Sequence, residues 1–141
     1  MTRVFWDTML FVYLLEGNPQ LAPRVRELLT RSYQRGDTLL TSCLALGEVM
    51  AGGSKTQAKA SLMRAKIIEM GFSFLPFELR CVDTFTSLRS EQLLKAPDSI
   101  NLASAGAAGV DVFLTGDTQL LKRGLHVPGI HIIADFTLPI L

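Results

Sequence analysis

Four acidic residues stand where a solvated surface charge has no reason to be. Asp7 ends the apolar run Val4-Phe5-Trp6-Asp7, and Glu48 lies inside Leu44-Ala45-Leu46-Gly47-Glu48-Val49-Met50. Asp98 follows Ala96-Pro97 at the opening of a helix, and Asp117 follows a strand in Leu114-Thr115-Gly116-Asp117. Taken singly, Asp98 reads as a helix cap, Asp117 as a turn residue and Glu48 as a packing accommodation. Asp7 is the hardest to explain that way, because an acid closing an apolar strand is partly desolvated. Most other acids, such as Glu16, Glu27, Glu69 and Glu91, fall on polar helix faces.

Brought together, the four acids imply a definite chemistry. Two carboxylates about 4 Å apart repel by about 4 kcal/mol at an effective dielectric of 20. A cluster of them requires protons or cations. Oxygen donors without Cys or His suit a hard cation, Mg²⁺ or Mn²⁺. Such an ion neutralises a phosphodiester, polarises its phosphoryl oxygen and acidifies a bound water. His126 and His131 lie near the C-terminus without a ligand spacing and read as ordinary surface or core residues. Ser42 and Cys43 have no His partner, so Ser42 reads as a helix cap and Cys43 as core.

The elements that must position these acids alternate strand and helix. Strands are expected at Arg3–Asp7, Thr38–Thr41, Phe72–Leu75, Val110–Thr115 and Ile130–Ile133. Helices are expected at Thr8–Glu16, about Gln20–Arg35, Cys43–Ala51, Lys55–Met70, Glu78–Leu94, Ser99–Ala108 and Asp117–Lys122. Ser42, Ser54 and Asp98 are placed to cap helices, and Gly17, Gly36, Gly52-Gly53 and Gly71 to stop them. Gly52-Gly53-Ser54-Lys55 lacks phosphate-loop spacing and follows a helix, so it reads as a stop and a new cap. The pattern predicts an α/β fold with a mostly parallel sheet, and no linker divides residues 1–141, so a single domain is expected. In such sheets functional residues collect beyond the C-terminal strand ends, where Asp7 and Asp117 fall.

Composition narrows the classes. With 48% hydrophobic and 19% charged residues the chain is no disordered tail. Two cysteines exclude a disulfide scaffold and fit a reducing cytoplasm. The first residues read as a strand rather than a targeting segment, and Met9–Leu15 is too short to cross a bilayer, so no membrane association is expected. Net charge is +1, from 14 basic and 13 acidic residues. Without the four candidate acids, 14 basic against 9 acidic residues leaves +5. Between Gln20 and Met70 lie Arg24, Arg26, Arg31, Arg35, Lys55, Lys59, Arg64 and Lys66, against four acids. An acidic pit with basic surroundings suits a polyanion held over a metal, although ordinary solvated helix faces would give the same pattern.

The acids and their surroundings resemble the PIN-domain family. The resemblance rests on Val4-Phe5-Trp6-Asp7-Thr8, Thr41-Ser42 through Leu46-Gly47-Glu48-Val49, Pro97-Asp98-Ser99-Ile100-Asn101-Leu102-Ala103-Ser104-Ala105 and Phe113-Leu114-Thr115-Gly116-Asp117. In length and layout the chain is similar to VapC toxins of toxin–antitoxin pairs. The resemblance implies a three-layer α/β/α sandwich with a parallel central sheet, and metal-dependent endoribonuclease activity with Mg²⁺ or Mn²⁺. It maps the family's acids to Asp7, Glu48, Asp98 and Asp117, with Asp7, Asp98 and Asp117 as metal ligands and Asp7 and Asp98 foremost. Its conserved hydroxyl maps to Thr115, positioning water or phosphate. It also implies an RNA substrate, a VapB-like antitoxin gripped by the apolar first two helices, and a homodimer.

Two positions depart from the pattern. Met9 stands where many members carry Asn or Ser, and Ser99 where many carry Ala; neither removes a carboxylate. Other readings remain: a PIN fold that only binds RNA or protein, or a nuclease of RNA processing rather than a toxin. A receiver domain would want an acid pair after the first strand and a Lys after the last. A haloacid-dehalogenase-like phosphatase would want a second Asp where Met9 stands.

Overall fold

A computed structural model describes residues 2–53, 56–139 and 141. The described strands are β1 (Arg3–Trp6), β2 (Thr38–Ser42), β3 (Ser73–Leu75), β4 (Val110–Thr115) and β5 (Ile130–Asp135). They form one five-stranded sheet in the order β3-β2-β1-β4-β5. Every pairing is parallel, with Val4 opposite Leu39 on one side and Val112 on the other. The chain winds outward from β1 through β2 to β3, then returns to add β4 and β5. The β1/β4 boundary is therefore the topological switch point, where an open α/β sheet leaves a crevice at its C-terminal edge.

Helices cover both faces. One face carries α1 (Thr8–Glu16), α2 (Ala22–Arg35), α3 (Cys43–Gly53) and α4 (Gln57–Glu69). Val4, Trp6, Leu39 and Leu114 of the sheet pack there against Leu10, Phe11, Val25, Leu28, Val49 and Ile67. The opposite face carries α5 (Val82–Ser90), α6 (Ala96–Ala108) and α7 (Thr118–Lys122). Phe5, Leu40 and Phe113 pack there against Leu88, Leu102, Ala105 and Leu120. The alternation along β1 supplies both layers: Phe5 stacks on Phe113 at 4.7 Å, and Trp6 meets Phe11 and Phe72 at 5.2 and 4.9 Å. The result is the α/β/α sandwich expected from the sequence.

Several boundaries differ from expectation. β1 stops at Trp6, because Asp7 turns out of the sheet to cap α1. α2 starts at Ala22, since the Asn18 side chain accepts from the Gln20 and Leu21 amides and holds them in a turn. α3 continues through Gly53, and α4 starts at Gln57, where the Thr56 hydroxyl accepts from the Lys59 amide. The expected Ser54 cap and Lys55 helix start lie outside the described residues. The helix expected over Glu78–Leu94 is a 3-10 turn at Leu79–Cys81 followed by α5, which ends at Ser90. α6 begins at Ala96 with Pro97 in its first turn, so Asp98 is not its cap. Cys43 is exposed rather than core, because it opens α3 just beyond the sheet edge; Cys81 is the buried thiol.

Among the basic residues noted between Gln20 and Met70, three of α2 are committed locally. Arg24 donates to the Phe136 and Leu138 carbonyls, Arg31 pairs with Glu27, and Arg35 pairs with Asp37. No helix among the described residues is long and apolar enough to cross a membrane.

Candidate active site

Asp7 is the centre of the site. It leaves β1 at the switch point, with its backbone N–H donating to the Leu114 carbonyl of β4 at 3.0 Å. Its carboxylate accepts from the Thr8 amide at 2.8 Å and from the Thr115 hydroxyl at 2.8 Å. The Asn101 amide of α6 approaches the same group at 3.4 Å. The Thr41 hydroxyl of β2 donates to the Trp6 carbonyl at 2.9 Å and fixes the strand end from the other side.

The remaining acids come from three other elements. Glu48 lies in the second turn of α3 and accepts from the Thr8 hydroxyl at 3.1 Å. Asp98 stands in the first turn of α6. Asp117 caps α7, accepting from the Gln119 and Leu120 amides at 2.9 and 3.2 Å through one oxygen. Its own amide donates to the Thr115 hydroxyl at 3.1 Å. Thr115 therefore bridges two acids, accepting from the Asp117 backbone and donating to the Asp7 carboxylate.

These groups feel one another. Burial raises the Asp7 carboxyl above its ordinary 3.8; the Thr115 and Thr8 hydrogen bonds oppose this, and Asp117 and Glu48 add to it. Burial also raises Asp98, reinforced by Asp7 and Asp117 and opposed by Lys95. Burial and like charge acting together mark a functional cluster more than a structural ion pair. The four candidate acids thus meet at one crevice, with Asp7 in electrostatic contact with the other three. Beside Asp98 and Asp117 a cleft of about 320 Å³ opens. Among the described residues, no three acidic, histidine or cysteine side chains close into a tight metal cage. His126 and His131 are both exposed.

Asn101 is a site residue that sequence reasoning did not single out. It is buried, and it joins Ser42 to Asp7. Ser42 caps α3, accepting from the Ala45 amide at 2.9 Å, and donates to the Asn101 carbonyl oxygen. That bond turns the Asn101 NH₂ toward Asp7. The available signal was spacing: Asn101 lies three residues after Asp98, on the same face of α6.

A search of curated proteins gives no significant match to the sequence. Among solved structures, the fold is similar to VapBC2 from Rickettsia felis, bound to a DNA fragment from its promoter. That match has a TM-score of 0.72 at 18% identity and covers 94% of this chain and 97% of that one. It is also similar to VapBC-1 from nontypeable Haemophilus influenzae, with a TM-score of 0.70 at 15% identity over 96% and 98% of the two chains. FitAcB from Neisseria gonorrhoeae gives 0.68 at 19% identity over 96% and 99%. At such identities the likeness is one of fold. The sequence itself matches the family model of the PIN domain over residues 4–124, a span that contains all four acids and Thr115. The chain belongs to the PIN domain family.

Proposed function

We propose that this protein is a divalent-metal-dependent endoribonuclease acting as the toxin of a VapBC-type pair. The observation that carries the reading is the convergence of Asp7, Glu48, Asp98 and Asp117, from four elements, on the switch point of a parallel sheet. Nuclease activity is what the PIN family leads one to expect.

The donor set fits Mg²⁺ or Mn²⁺. The charged donors are all carboxylates, and burial first and like charge second push Asp7 and Asp98 upward, a cost of buried negative charge that a dication would relieve. A closed cage is not required, since Mg²⁺ keeps several waters and binds through one or two carboxylates. Asp7 and Asp98 are the proposed principal ligands, with Asp117 completing the set. When bound, the ion would polarise the phosphoryl oxygen and acidify a water for in-line attack.

The chain's own residues prepare that chemistry. Thr115, Thr8 and Asn101 orient the Asp7 carboxylate. One Asp117 oxygen is held by two backbone amides, which fixes this carboxylate at the lining of the cleft. Thr8 holds one Glu48 oxygen, and Glu48 is proposed to accept the water's proton.

The printed names of the structural neighbours, VapBC and toxin–antitoxin complexes, favour a toxin with an antitoxin partner over an RNA-processing enzyme. Leu10, Phe11 and Leu28 of the first two helices are core, so they are not available to such a partner. The groove of about 320 Å³ lined by Leu15, Leu62 and Met63, rimmed by Glu16, Lys59 and Lys66, is the proposed antitoxin seat. A homodimer and a cytoplasmic location are part of the same reading.

The test is cleavage of a mixed RNA by purified protein with Mg²⁺, Mn²⁺ or EDTA, beside Asp7→Asn. Metal-dependent cutting absent from the variant is expected. A wild type that neither binds a divalent ion nor cuts RNA overturns the proposal.

A further inference from the structure

The cleft beside Asp98 and Asp117 is walled by groups that the acid cluster does not explain. Lys95 and Arg123 line it, with Leu94 and Leu120 beneath and Leu93 at the rim. Neither basic residue has an ion-pair partner among the described residues. Both are exposed. Lys95 lies near enough to Asp98 to oppose the rise of its carboxyl. Arg123 donates one N–H to the Gln92 carbonyl, which pins the turn before α6 against the end of α7. Arg89 holds the same turn through the Leu94 carbonyl at 2.9 Å.

Leu93 is the odd residue in this wall. Beyond α5 the Leu94 amide reaches back to the Leu88 carbonyl at 3.0 Å, and the buried Leu88 and Leu94 side chains share one core cluster. The residue before Leu94 is left-handed, a conformation that glycine supplies at Gly17 and Gly36. Here it is a leucine, with φ 57°, the one non-glycine at positive φ among the described residues. Its side chain is 78% exposed, so it gains little by burial for the strain it carries.

We propose that this cleft is the subsite for the RNA nucleotide next to the scissile phosphate. Lys95 and Arg123 hold the neighbouring phosphate, and Leu93 gives its base or ribose an apolar contact. The inference rests on the nuclease reading above and adds the residues that seat the strand. A cleft lined by two acids and by two cations without ion-pair partners among the described residues suits a polyanion whose reacting phosphate lies over a metal. No residue pattern hints at it, because Lys95 and Arg123 are far apart in the chain and outside the basic stretch at Gln20–Met70.

The test uses a labelled single-stranded RNA in the Asp7→Asn background, where the probe stays intact, with affinity measured across salt concentrations. Lys95→Gln and Arg123→Gln should each weaken binding and lower the slope of log affinity against log salt by about 1. Arg123→Lys should keep the slope, which separates charge from the tie to Gln92. Leu93→Gly should weaken binding with the slope unchanged, while raising the melting temperature by releasing the left-handed strain. Arg31→Ala, on the opposite face, should do neither. Wild-type cleavage of the same RNA is run beside these. If wild type cuts and the slopes do not move, the subsite is wrong and the nuclease stands. If wild type neither binds nor cuts RNA, both fall together.

Discussion

The Thr115 hydroxyl donates to the Asp7 carboxylate at 2.8 Å while accepting from the Asp117 backbone at 3.1 Å. One buried oxygen thereby ties together two acids that follow the ends of the neighbouring strands β1 and β4. Thr115→Val keeps the shape and removes both bonds. A hydrogen bond to a charged group contributes about 1.5–3 kcal/mol, so urea unfolding at neutral pH should show a loss of that order. Cleavage should fall as well, because Asp7 loses its one hydroxyl donor. Thr115→Ser should recover most of both; a loss in Ser with none in Val would show that the methyl group, not the hydroxyl, matters.

The raised Asp7 carboxyl makes a second prediction whose sign is opposite to that of a salt-bridged acid. The folded chain holds a proton that the unfolded chain has released above 3.8. Stability attributable to Asp7 is therefore present at low pH and lost as pH rises through the raised folded value. Above that raised value the buried charge opposes folding in full. Asp7→Asn should melt higher than wild type at neutral pH, and the gap should close as pH falls toward 3.8. Saturating Mg²⁺ should raise the wild-type melting temperature and leave the variant's unchanged. A variant that melts lower at neutral pH would mean that the carboxylate is satisfied rather than strained.

Gly116 sits between Thr115 and Asp117, and a Cβ there would meet the Phe136 ring at 2.7 Å. Phe136 is buried and stacks on Tyr13 at 5.8 Å, so its ring cannot simply swing away. Gly116→Ala should cost about 1–3 kcal/mol by overpacking. The same shift displaces Asp117, so cleavage should fall further than stability alone accounts for. A paired Gly116→Ala, Phe136→Leu variant that recovers activity would attribute the loss to this contact.

How much of this was legible beforehand follows from what each residue does locally. Asp7 was legible because a charge ending an apolar strand is anomalous within five residues of sequence, whereas Asp117 gains its meaning only beside the other acids. The parallel sheet was legible for the same reason, through the apolar runs around Phe5, Leu40 and Phe113. Asn101 was not, because an uncharged amide in an Ala- and Ser-rich helix differs little from its neighbours. Its meaning depends on Ser42, 59 residues away in the chain, and on Asp7, 94 away. The end of α5 was hidden too: no glycine or proline marks it, and the helical pattern runs through Leu93 unbroken. Cys43 was misplaced because apolar character says nothing about which side of a strand end a helix starts on.

Glu48 separates the catalytic reading from a purely binding one. It reaches the cluster from the second turn of α3, held by the Thr8 hydroxyl through one oxygen. Thr8 is also the residue whose amide binds Asp7, so α1 fixes the spacing of both acids. Glu48→Gln preserves shape and can still accept from Thr8, while removing the capacity to take a proton. If Glu48 is the general base, the turnover rate should fall by about 10²–10⁴-fold with KM for RNA little changed. If Glu48 serves only to hold a cation, cleavage in the variant should instead be restored at high Mg²⁺. Thr8→Val gives the complementary result: Glu48 keeps its basicity but loses its anchor. Its turnover should then fall less than that of Glu48→Gln, and the double variant should be no worse than Glu48→Gln alone, since the two residues act as one unit.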